Sequence, residues 1–276
     1  MKNRPFSVAI SVYKNDDPVY FDIALQSITE KQTVRPDEVV LIVDGPIPET
    51  LSSVVDRYES KHKGFRVVRL PENKGLGNAL QIAVAECRNE LIARMDSDDI
   101  ALPTRFEQQL KYFAENLQLD IVGGDITEFV GESSNIVGKR VVPADDADIK
   151  NYMKTRCAMN HVTVMFKKSA VLGVGNYKDW FWNEDYYLWI RMLENNCVFA
   201  NTGTVLVNVR TGADMYQRRG GKKYFESEKG LQDYMLAHKL INRRTYCINV
   251  LKRWIVQVVL PNRIRGWVFR TFAREK

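Results

Sequence analysis

The stretch of sequence that decides the fold is Leu91-Ile92-Ala93-Arg94-Met95-Asp96-Ser97-Asp98-Asp99. A short, largely apolar run leads directly into three carboxylates within four residues, a pattern typical of a buried strand that ends in a polar loop. Carboxylates this close repel one another unless a cation offsets their charge. Mg²⁺ and Mn²⁺ prefer oxygen ligands and usually contact substrate phosphates as well. We therefore predict a divalent metal site with Asp96 and Asp98 as ligands; an acidic cap for the helix that begins at Pro103 is the alternative.

On both sides of this stretch, apolar and amphipathic segments alternate. Such alternation predicts βαβ units and an α/β fold with a mostly parallel sheet. The predicted strands are Phe6–Val12, Glu38–Val43, Phe65–Leu70 and Leu91–Met95, and the predicted helices are Val19–Lys31, Pro48–His62, Gly75–Arg88 and Pro103–Asn116.

After Gln118 the runs become shorter and are interrupted by Gly, Asn and Ser, which favours an antiparallel part of the sheet. The segments concerned are Leu119–Gly123, Ile126–Val130 and Lys139–Val142, then a strand at His161–Lys167, a helix at Asn183–Glu194 and one or two strands in Cys197–Arg210.

Composition limits the possible classes of protein. Of the 276 residues, 45% are hydrophobic and 27% are charged, as expected for a folded globular chain. We find no signal peptide and no apolar run of the roughly 18 residues that a membrane span needs. The four cysteines are dispersed, which argues for reduced thiols and against a zinc site. The net charge is +6, but residues 243–276 hold nine Lys/Arg and one acidic residue, so the remainder is slightly acidic and nucleic-acid binding is not expected.

Polar loops follow the other predicted strands at the edge where α/β proteins bind ligands. After the first strand, Ser11, Val12 and Tyr13 offer an aromatic face for a nucleobase, and Asp44 after the second could accept hydrogen bonds from a base or a ribose. Turn and capping roles are the alternative for these loops. After the third strand, Asn73-Lys74-Gly75 offers backbone amides and a cation to a phosphate, although a plain tight turn is equally compatible.

A further candidate site is the aromatic segment Trp180–Trp189, which contains Trp182, Glu184 and Asp185. Sugars stack on aromatic rings, and carboxylates bind their hydroxyl groups. Asp185 at the start of a helix could act as a general base for a hydroxyl. The alternative is that the aromatic residues belong to the core and that the acidic pair only favours the helix N-terminus.

The strands and polar loops described above, in their order along the chain, resemble those of the family-2 inverting glycosyltransferases of the A-type fold. The resemblance extends from about residue 5 to residue 215. The run Arg94–Ile100, followed by Pro103, Arg105, Phe106 and Gln109, is similar to the bacterial branch that builds capsule, exopolysaccharide and O-antigen units, including amylovoran-type galactosyl- and glucosyltransferases. The resemblance implies a Rossmann-like central sheet flanked by helices, a small antiparallel sheet on the acceptor side and a helical C-terminal extension. It divides the chain into a catalytic domain, 1–242, with a donor half of about 1–118 and an acceptor half of about 119–242, and a basic segment, 243–276.

The same resemblance implies roles for individual residues. Asp44 and the turn Ser11–Tyr13 would hold the nucleoside of a nucleotide-sugar, with Asp96 and Ser97 near the ribose or uracil. Asp98, with Asp96, would bind Mn²⁺ or Mg²⁺. Asp185 would be the catalytic base, and Glu184 would place hydroxyl groups. Further expected contacts of the nucleotide-sugar are Asn73, Lys74, His161, Trp182 and Arg210, with Gln217–Lys223 as a basic loop over the diphosphate. One departure is Asp44-Gly45, where the family often has two adjacent acids.

Residues 243–276 combine apolar stretches, tryptophan and many basic residues, with Pro261 dividing two predicted helices. This composition favours the surface of an anionic membrane, although a helical pair packed on the catalytic domain is the alternative. We expect a cytoplasmic protein, peripheral at the inner face of the bacterial plasma membrane, that acts on a polyprenyl-diphosphate-linked saccharide. Alternative functions are a sugar-nucleotidyltransferase and an inactive carbohydrate-binding protein on the same fold.

Overall fold

The computed structural model describes residues 4–212 and 220–261, which form a mixed sheet flanked by helices. Along the sheet the described strands follow the order β3-β2-β1-β4-β8-β6-β9-β5, with β7 beside β6. The strands are β1 Phe6–Val12, β2 Glu38–Val43, β3 Phe65–Arg69, β4 Leu91–Met95, β5 Ile100–Ala101, β6 Ile121–Phe129, β7 Ile136–Arg140, β8 Met165–Lys167 and β9 Phe199–Arg210.

Helices cover both faces of the sheet. They are α1 Pro18–Ile28, α2 Glu49–Lys61, α3 Leu76–Glu86, α4 Arg105–Glu115, α5 Asp146–Met153, α6 Lys168–Gly173, α7 Glu184–Glu194, α8 Lys222–Ala237 and α9 Arg243–Trp254, with a 3₁₀ turn at His161–Thr163 and a π-helical turn at Ile255–Val259. The predicted α/β fold is confirmed, and the first four strands pair in parallel as expected.

The parallel strands are buried because both of their faces pack against helices. Side chains alternate along a strand, so Val8 and Ile10 lie in the core beneath α1, α2 and α4, whereas Ala9 between them faces the core formed with α3 and α7. Most residues of these strands are therefore apolar. The polar loops that follow the parallel strands all lie at the carboxyl edge of the sheet.

In the second half the predicted strands were partly wrong. The runs predicted as two short strands form one strand, β6, which pairs in parallel with β9 and antiparallel with β7 and β8. Gly123 and Gly124, which suggested a break, instead permit close approach: a Cβ on Gly123 would lie 2.6 Å from Oδ1 of Asn201, and one on Gly124 would lie 2.7 Å from the side chain of Leu206. The predicted strand His161–Lys167 begins as a 3₁₀ turn, and only Met165–Lys167 pairs as a strand.

The C-terminal extension is helical as far as it is described. One face of α9 is fastened to the domain by Asn249, whose side-chain amide donates to Oε1 of Gln232 (2.8 Å) and to the carbonyl of Lys154 (2.9 Å). The second predicted helix, around Ile264–Phe272, lies outside the described residues. None of the helices in residues 4–212 and 220–261 has the length and apolar character that crossing a bilayer would require.

Candidate active site

The acidic loop Asp96–Asp99 lies at the carboxyl edge, where β4 ends. Arg94, only 2% exposed, uses both terminal nitrogens to form an ion pair with the carboxylate of Asp96. Arg105 from α4 supports the same strand end by donating to the carbonyl of Arg94 (2.6 Å). Sequence reasoning missed the role of Arg94, although a basic residue in an apolar strand, two residues before an acid, predicts a shared face.

Asp16 is a fourth carboxylate at this place, and sequence reasoning had left it as a turn residue. Its Oδ2 accepts hydrogen bonds from the backbone N–H of Tyr13 (3.0 Å) and from the hydroxyl of Ser97 (2.9 Å). Burial, reinforced by the charge of Asp96, raises the pKa of Asp16 to about 6. Asp16 therefore joins the turn Ser11–Tyr13 to the acidic loop, and the binding of a nucleoside there stays a prediction.

The electrostatics of the loop fit a divalent cation. Desolvation, followed by the charges of Asp96 and Asp16, raises the pKa of Asp98 to about 6, although Asp98 keeps contact with solvent. Asp99 is buried, and its pKa is raised well above the ordinary value, first by burial and then by Asp98 and Asp96. Within the described ranges, no three carboxylate, imidazole or thiol side chains converge into a complete metal cage. An ion held by Asp98 and Asp96 would take its further oxygens from water or from a phosphate ligand.

Asp44 binds the glycine-containing loop that follows β3. Its Oδ1 accepts from the backbone N–H of Lys74 (2.7 Å), and its Oδ2 accepts from the N–H of Gly75 and the amide of Asn73 (both 3.0 Å). A Cβ on Gly45, whose φ is +85°, would lie 2.6 Å from the backbone nitrogen of Asn73, so only glycine fits this close approach. Asp44 and Asn73–Gly75 thus form one unit that leaves the side chain of Lys74 exposed.

Glu184 and Asp185 occupy the first turn of α7 beside this unit. A Cβ on Gly77 would lie 3.3 Å from Cβ of Glu184, so the start of α3 packs directly on the start of α7. Burial and the neighbouring charge of Asp185 raise the pKa of Glu184 to about 7, and the charges of Arg94 and Asp96 also reach it. The acidic loop and the pair Glu184 and Asp185 therefore lie within electrostatic range of each other, and we call the region that they border the candidate cleft. Oδ1 of Asp185 accepts the backbone N–H of Tyr186 (2.6 Å).

His161 lies in the wall of this cleft. Its Nε2 forms a hydrogen bond with the hydroxyl of Tyr177 (2.9 Å), and its ring packs edge-on against Trp189 with 6.0 Å between centroids. Burial, together with the positive charge of Arg94, lowers the pKa of His161 well below its ordinary value. The imidazole is therefore neutral at physiological pH, and a contact with the nucleotide-sugar stays a prediction.

Two other predicted ligand contacts occupy different positions around the cleft. The guanidinium of Arg210 donates to the carbonyls of Asp98 (3.2 Å) and Gly131 (2.9 Å) and stacks 3.6 Å from the ring centre of Tyr20, while its backbone N–H donates to Asp99 (2.8 Å). Arg210 thus braces the acidic loop from β9. Trp182 lies at the rim and is 50% exposed. Of the predicted basic loop Gln217–Lys223, residues 217–219 lie outside the described residues.

Comparison with known proteins identifies the class to which this fold and site belong. The model of glycosyl transferase family 2 matches residues 7–174, more than half of the chain. The chain belongs to this family, and the resemblance predicted from the ordered motifs is confirmed.

Two relatives show the branch of the family. The chain is 35% identical over 269 residues to the Escherichia coli UDP-Gal:alpha-D-GlcNAc-diphosphoundecaprenol beta-1,3-galactosyltransferase, covering 98% of this chain and 96% of that protein. It is 36% identical over 234 residues to the Erwinia amylovora amylovoran biosynthesis glycosyltransferase AmsE, covering 85% of this chain and 86% of that protein. The predicted similarity to bacterial polysaccharide-building enzymes, amylovoran type included, is confirmed.

A solved structure shows the same fold. The mannosyltransferase PcManGT from Pyrobaculum calidifontis, in complex with GDP-Man and Mn²⁺, superposes with a TM-score of 0.61, covering 96% of this chain and 72% of that one at 15% identity. At this identity the likeness concerns the fold alone.

Proposed function

We propose that this chain transfers a hexosyl group from a UDP-sugar to a hydroxyl of a polyprenyl-diphosphate-linked saccharide, with inversion at the anomeric carbon, in bacterial surface polysaccharide synthesis. The observation that carries the proposal is that Glu184, next to Asp185, lies within electrostatic range of Arg94 and Asp96 at the acidic loop. The E. coli relative, whose name states a UDP-galactose donor and a diphosphoundecaprenol acceptor, aligns over nearly its whole length. A sugar-nucleotidyltransferase does not fit a member of glycosyl transferase family 2.

Donor binding is assigned to the loops at the carboxyl edge. The turn Ser11–Tyr13, tied to the acidic loop through Asp16, would hold the nucleoside. Asp96, oriented by its ion pair with Arg94, would face the ribose. Lys74, presented by the loop that Asp44 holds, would place its ammonium near the diphosphate. A bound Mn²⁺ or Mg²⁺, held by Asp98 and Asp96, would supply positive charge against the leaving nucleoside diphosphate.

The chemistry needs one base and no protein nucleophile. Asp185 would accept the proton of the acceptor hydroxyl as its oxygen attacks the anomeric carbon from the face opposite the diphosphate. The C–O bond to the diphosphate breaks as the new glycosidic bond forms, so one displacement inverts the carbon. Burial and the charge of Asp185 raise the pKa of Glu184 to about 7, so a large share of Glu184 is protonated near neutral pH and in that form could donate to a sugar oxygen without adding negative charge to the cleft.

The direct test is a screen of the full-length protein with nucleotide-sugars, Mn²⁺ and N-acetylglucosamine diphosphate on a lipid, with mass spectrometry of the product. Transfer of one hexose from a UDP-sugar, with inverted anomeric configuration in the NMR spectrum, supports the proposal. Turnover of none of the nucleotide-sugars tested would instead support an inactive carbohydrate-binding protein.

Donor binding should weaken as the pH rises through about 7. Above that pH Glu184 loses its proton and adds a negative charge beside Asp96 and the donor diphosphate. The KM for the donor is therefore expected to rise severalfold between pH 7 and 8.5. A rise of about this size is expected because one added negative charge repels the donor diphosphate in a partly screened site. In Glu184→Gln, which stays neutral, that rise should disappear; the same rise in this variant would contradict the assignment.

The exposed face of α9 supports peripheral membrane binding. Asn249 fastens one face to the domain, and the opposite face shows a stripe of exposed apolar residues, with the exposed Arg244 and Lys252 among them. The stripe consists of Ile248, Leu251, Trp254, Ile255, Val258 and Val259. An apolar face with basic residues beside it matches the interface of an anionic bilayer. The sequence offered packing on the domain and membrane contact as alternatives for this segment. Both are compatible, because one face of α9 can pack on the domain while the other contacts a membrane.

Replacing Leu251 and Trp254 by aspartate is expected to reduce flotation with phosphatidylglycerol vesicles at least about tenfold, because two large apolar side chains lose their burial in lipid. Leu117→Asp is the matched control, since Leu117 is also exposed but lies in the loop that follows α4. Equal loss in both variants, or unchanged flotation of the double variant, would contradict the assignment of the stripe.

A further inference from the structure

Trp182 is placed unusually for a tryptophan. It lies two residues before Glu184, is 50% exposed and has a φ of 55°, a left-handed conformation that bulky residues rarely adopt. Exposing a large aromatic ring in a strained backbone costs free energy, so the surrounding contacts must hold the ring there.

Those contacts come from α8. The indole N–H of Trp180 donates to the carbonyl of Ser227 (3.1 Å), and the amide of Asn183 donates to the Ser227 hydroxyl (3.0 Å), which itself donates to the carbonyl of Phe181 (2.6 Å). The loop is thus fastened on both sides of Trp182. The Trp182 ring stacks on Phe181 with 4.7 Å between centroids and lies 6.2 Å from Tyr224.

Two lysines flank this aromatic surface. Nζ of Lys223 lies 4.0 Å from the ring centre of Phe181, and Lys222 beside it is 85% exposed, with a long 3.8 Å pairing to Glu226. An exposed pair at that distance contributes little to stability, so the ammonium groups can turn to another anion. We call Phe181, Trp182, Lys222, Lys223 and Tyr224 the rim cluster.

The apolar stripe continues directly from the rim cluster. The backbone N–H of Gly221 donates to the carbonyl of Gln257 (2.9 Å), which docks the π-helical turn on the start of α8. Ile255, Val258 and Val259 on that turn are 41%, 41% and 51% exposed. Moving away from Glu184, the surface therefore presents an aromatic ring, then two cations, then apolar side chains.

We propose that the rim cluster is the subsite for the reducing end of the acceptor, a hexose joined through diphosphate to a lipid. The hexose stacks on Trp182, its diphosphate is bound by Lys222 and Lys223, and the first part of the hydrocarbon lies on Ile255–Val259. Such an acceptor consists of a sugar, a diphosphate and a hydrocarbon chain, and the surface presents an aromatic ring, two cations and apolar side chains in the same order. Arg94 and Asp96, at the end of β4, are assigned to the donor side. Trp182 instead contacts Phe181 and Tyr224, the latter on α8, so Trp182 is assigned here to the acceptor and not to the nucleotide-sugar predicted from sequence. This inference rests on the proposed transferase function.

The test compares two acceptors that carry the same sugar and alkyl chain, one through diphosphate and one as a simple glycoside, with full-length protein. Trp182→Ala should raise the KM of both acceptors roughly three- to tenfold, the expected effect of losing one stacking interaction. Trp182→Phe should restore most of the affinity. Lys222→Ala combined with Lys223→Ala should raise only the KM of the diphosphate acceptor, roughly tenfold or more. The KM for the donor should not change in any of them.

Lys111→Ala is the matched control, because Lys111 also pairs with a glutamate four residues later at 3.8 Å but lies on α4. Acceptor KM values that stay normal in the Trp182 and lysine variants would contradict the assignment of the subsite. A rise of the donor KM without a rise of the acceptor KM would contradict it as well. A wild-type protein that transfers sugar to neither acceptor would overturn the proposed function itself, which separates the two failures.

Discussion

Replacing Asp185 by asparagine is expected to lower the transfer rate by roughly 10²-fold or more while donor binding is retained. Asparagine keeps the size of the side chain and an oxygen that can accept the backbone N–H of Tyr186, as Oδ1 of Asp185 does at 2.6 Å. It cannot take a proton from the acceptor hydroxyl at neutral pH. The loss should therefore appear in kcat with a lipid-linked acceptor, whereas the dissociation constant of UDP, measured by calorimetry, should stay within about twofold, because Asp185 is assigned to the acceptor hydroxyl and not to the nucleotide.

Asp148→Asn provides the control for this experiment. Asp148 is also a carboxylate in the first turn of a helix, α5, but it is exposed and is not among the residues assigned to the site. Its replacement should leave kcat unchanged. Near-normal turnover of Asp185→Asn would exclude Asp185 as the base and would transfer that role to Glu184.

Replacing Asp98 by alanine is expected to abolish the metal-dependent part of donor binding. Asp98 keeps contact with solvent, and desolvation, followed by the negative charges of Asp96 and Asp16, raises its pKa to about 6. Removing this carboxylate leaves a bound ion with fewer oxygen ligands, so kcat/KM should fall by roughly 10²- to 10³-fold, in line with the several kcal/mol that a catalytic metal supplies.

The control for Asp98→Ala is UDP binding measured in the same titration without metal. With EDTA present, wild type and variant should bind UDP equally, and only the wild type should gain affinity when Mn²⁺ is added. An equal gain of affinity in Asp98→Ala would place the ion elsewhere.

The first half of the fold was predictable because local signals agreed there. The strands Phe6–Val12, Glu38–Val43 and Leu91–Met95 were predicted with their observed bounds, since buried parallel strands are continuous apolar runs between polar loops. In the second half, Gly123 and Gly124 suggested a strand break that tertiary packing against β9 reversed. No local pattern indicates that a neighbouring strand will come within contact distance of a glycine.

The site shows the same limit. Three carboxylates after an apolar strand predicted the acidic loop, yet Asp16 joins it only because the chain brings β1 and β4 side by side. Likewise, the contact between Gly77 and Glu184 unites two segments about a hundred residues apart. Residue types and their order predicted which groups carry the chemistry, whereas the distances between those groups depended on the tertiary fold.

The central claim is that the acidic loop binds a cation together with the diphosphate of the donor, next to Asp185. The most direct measurement is anomalous diffraction from crystals soaked with Mn²⁺ and UDP. We expect one manganese peak within coordination distance of Asp98 and of oxygens from both phosphates, in the cleft that Asp185 borders. A peak at another surface, or UDP bound away from the Asp96–Asp99 loop, would contradict this account.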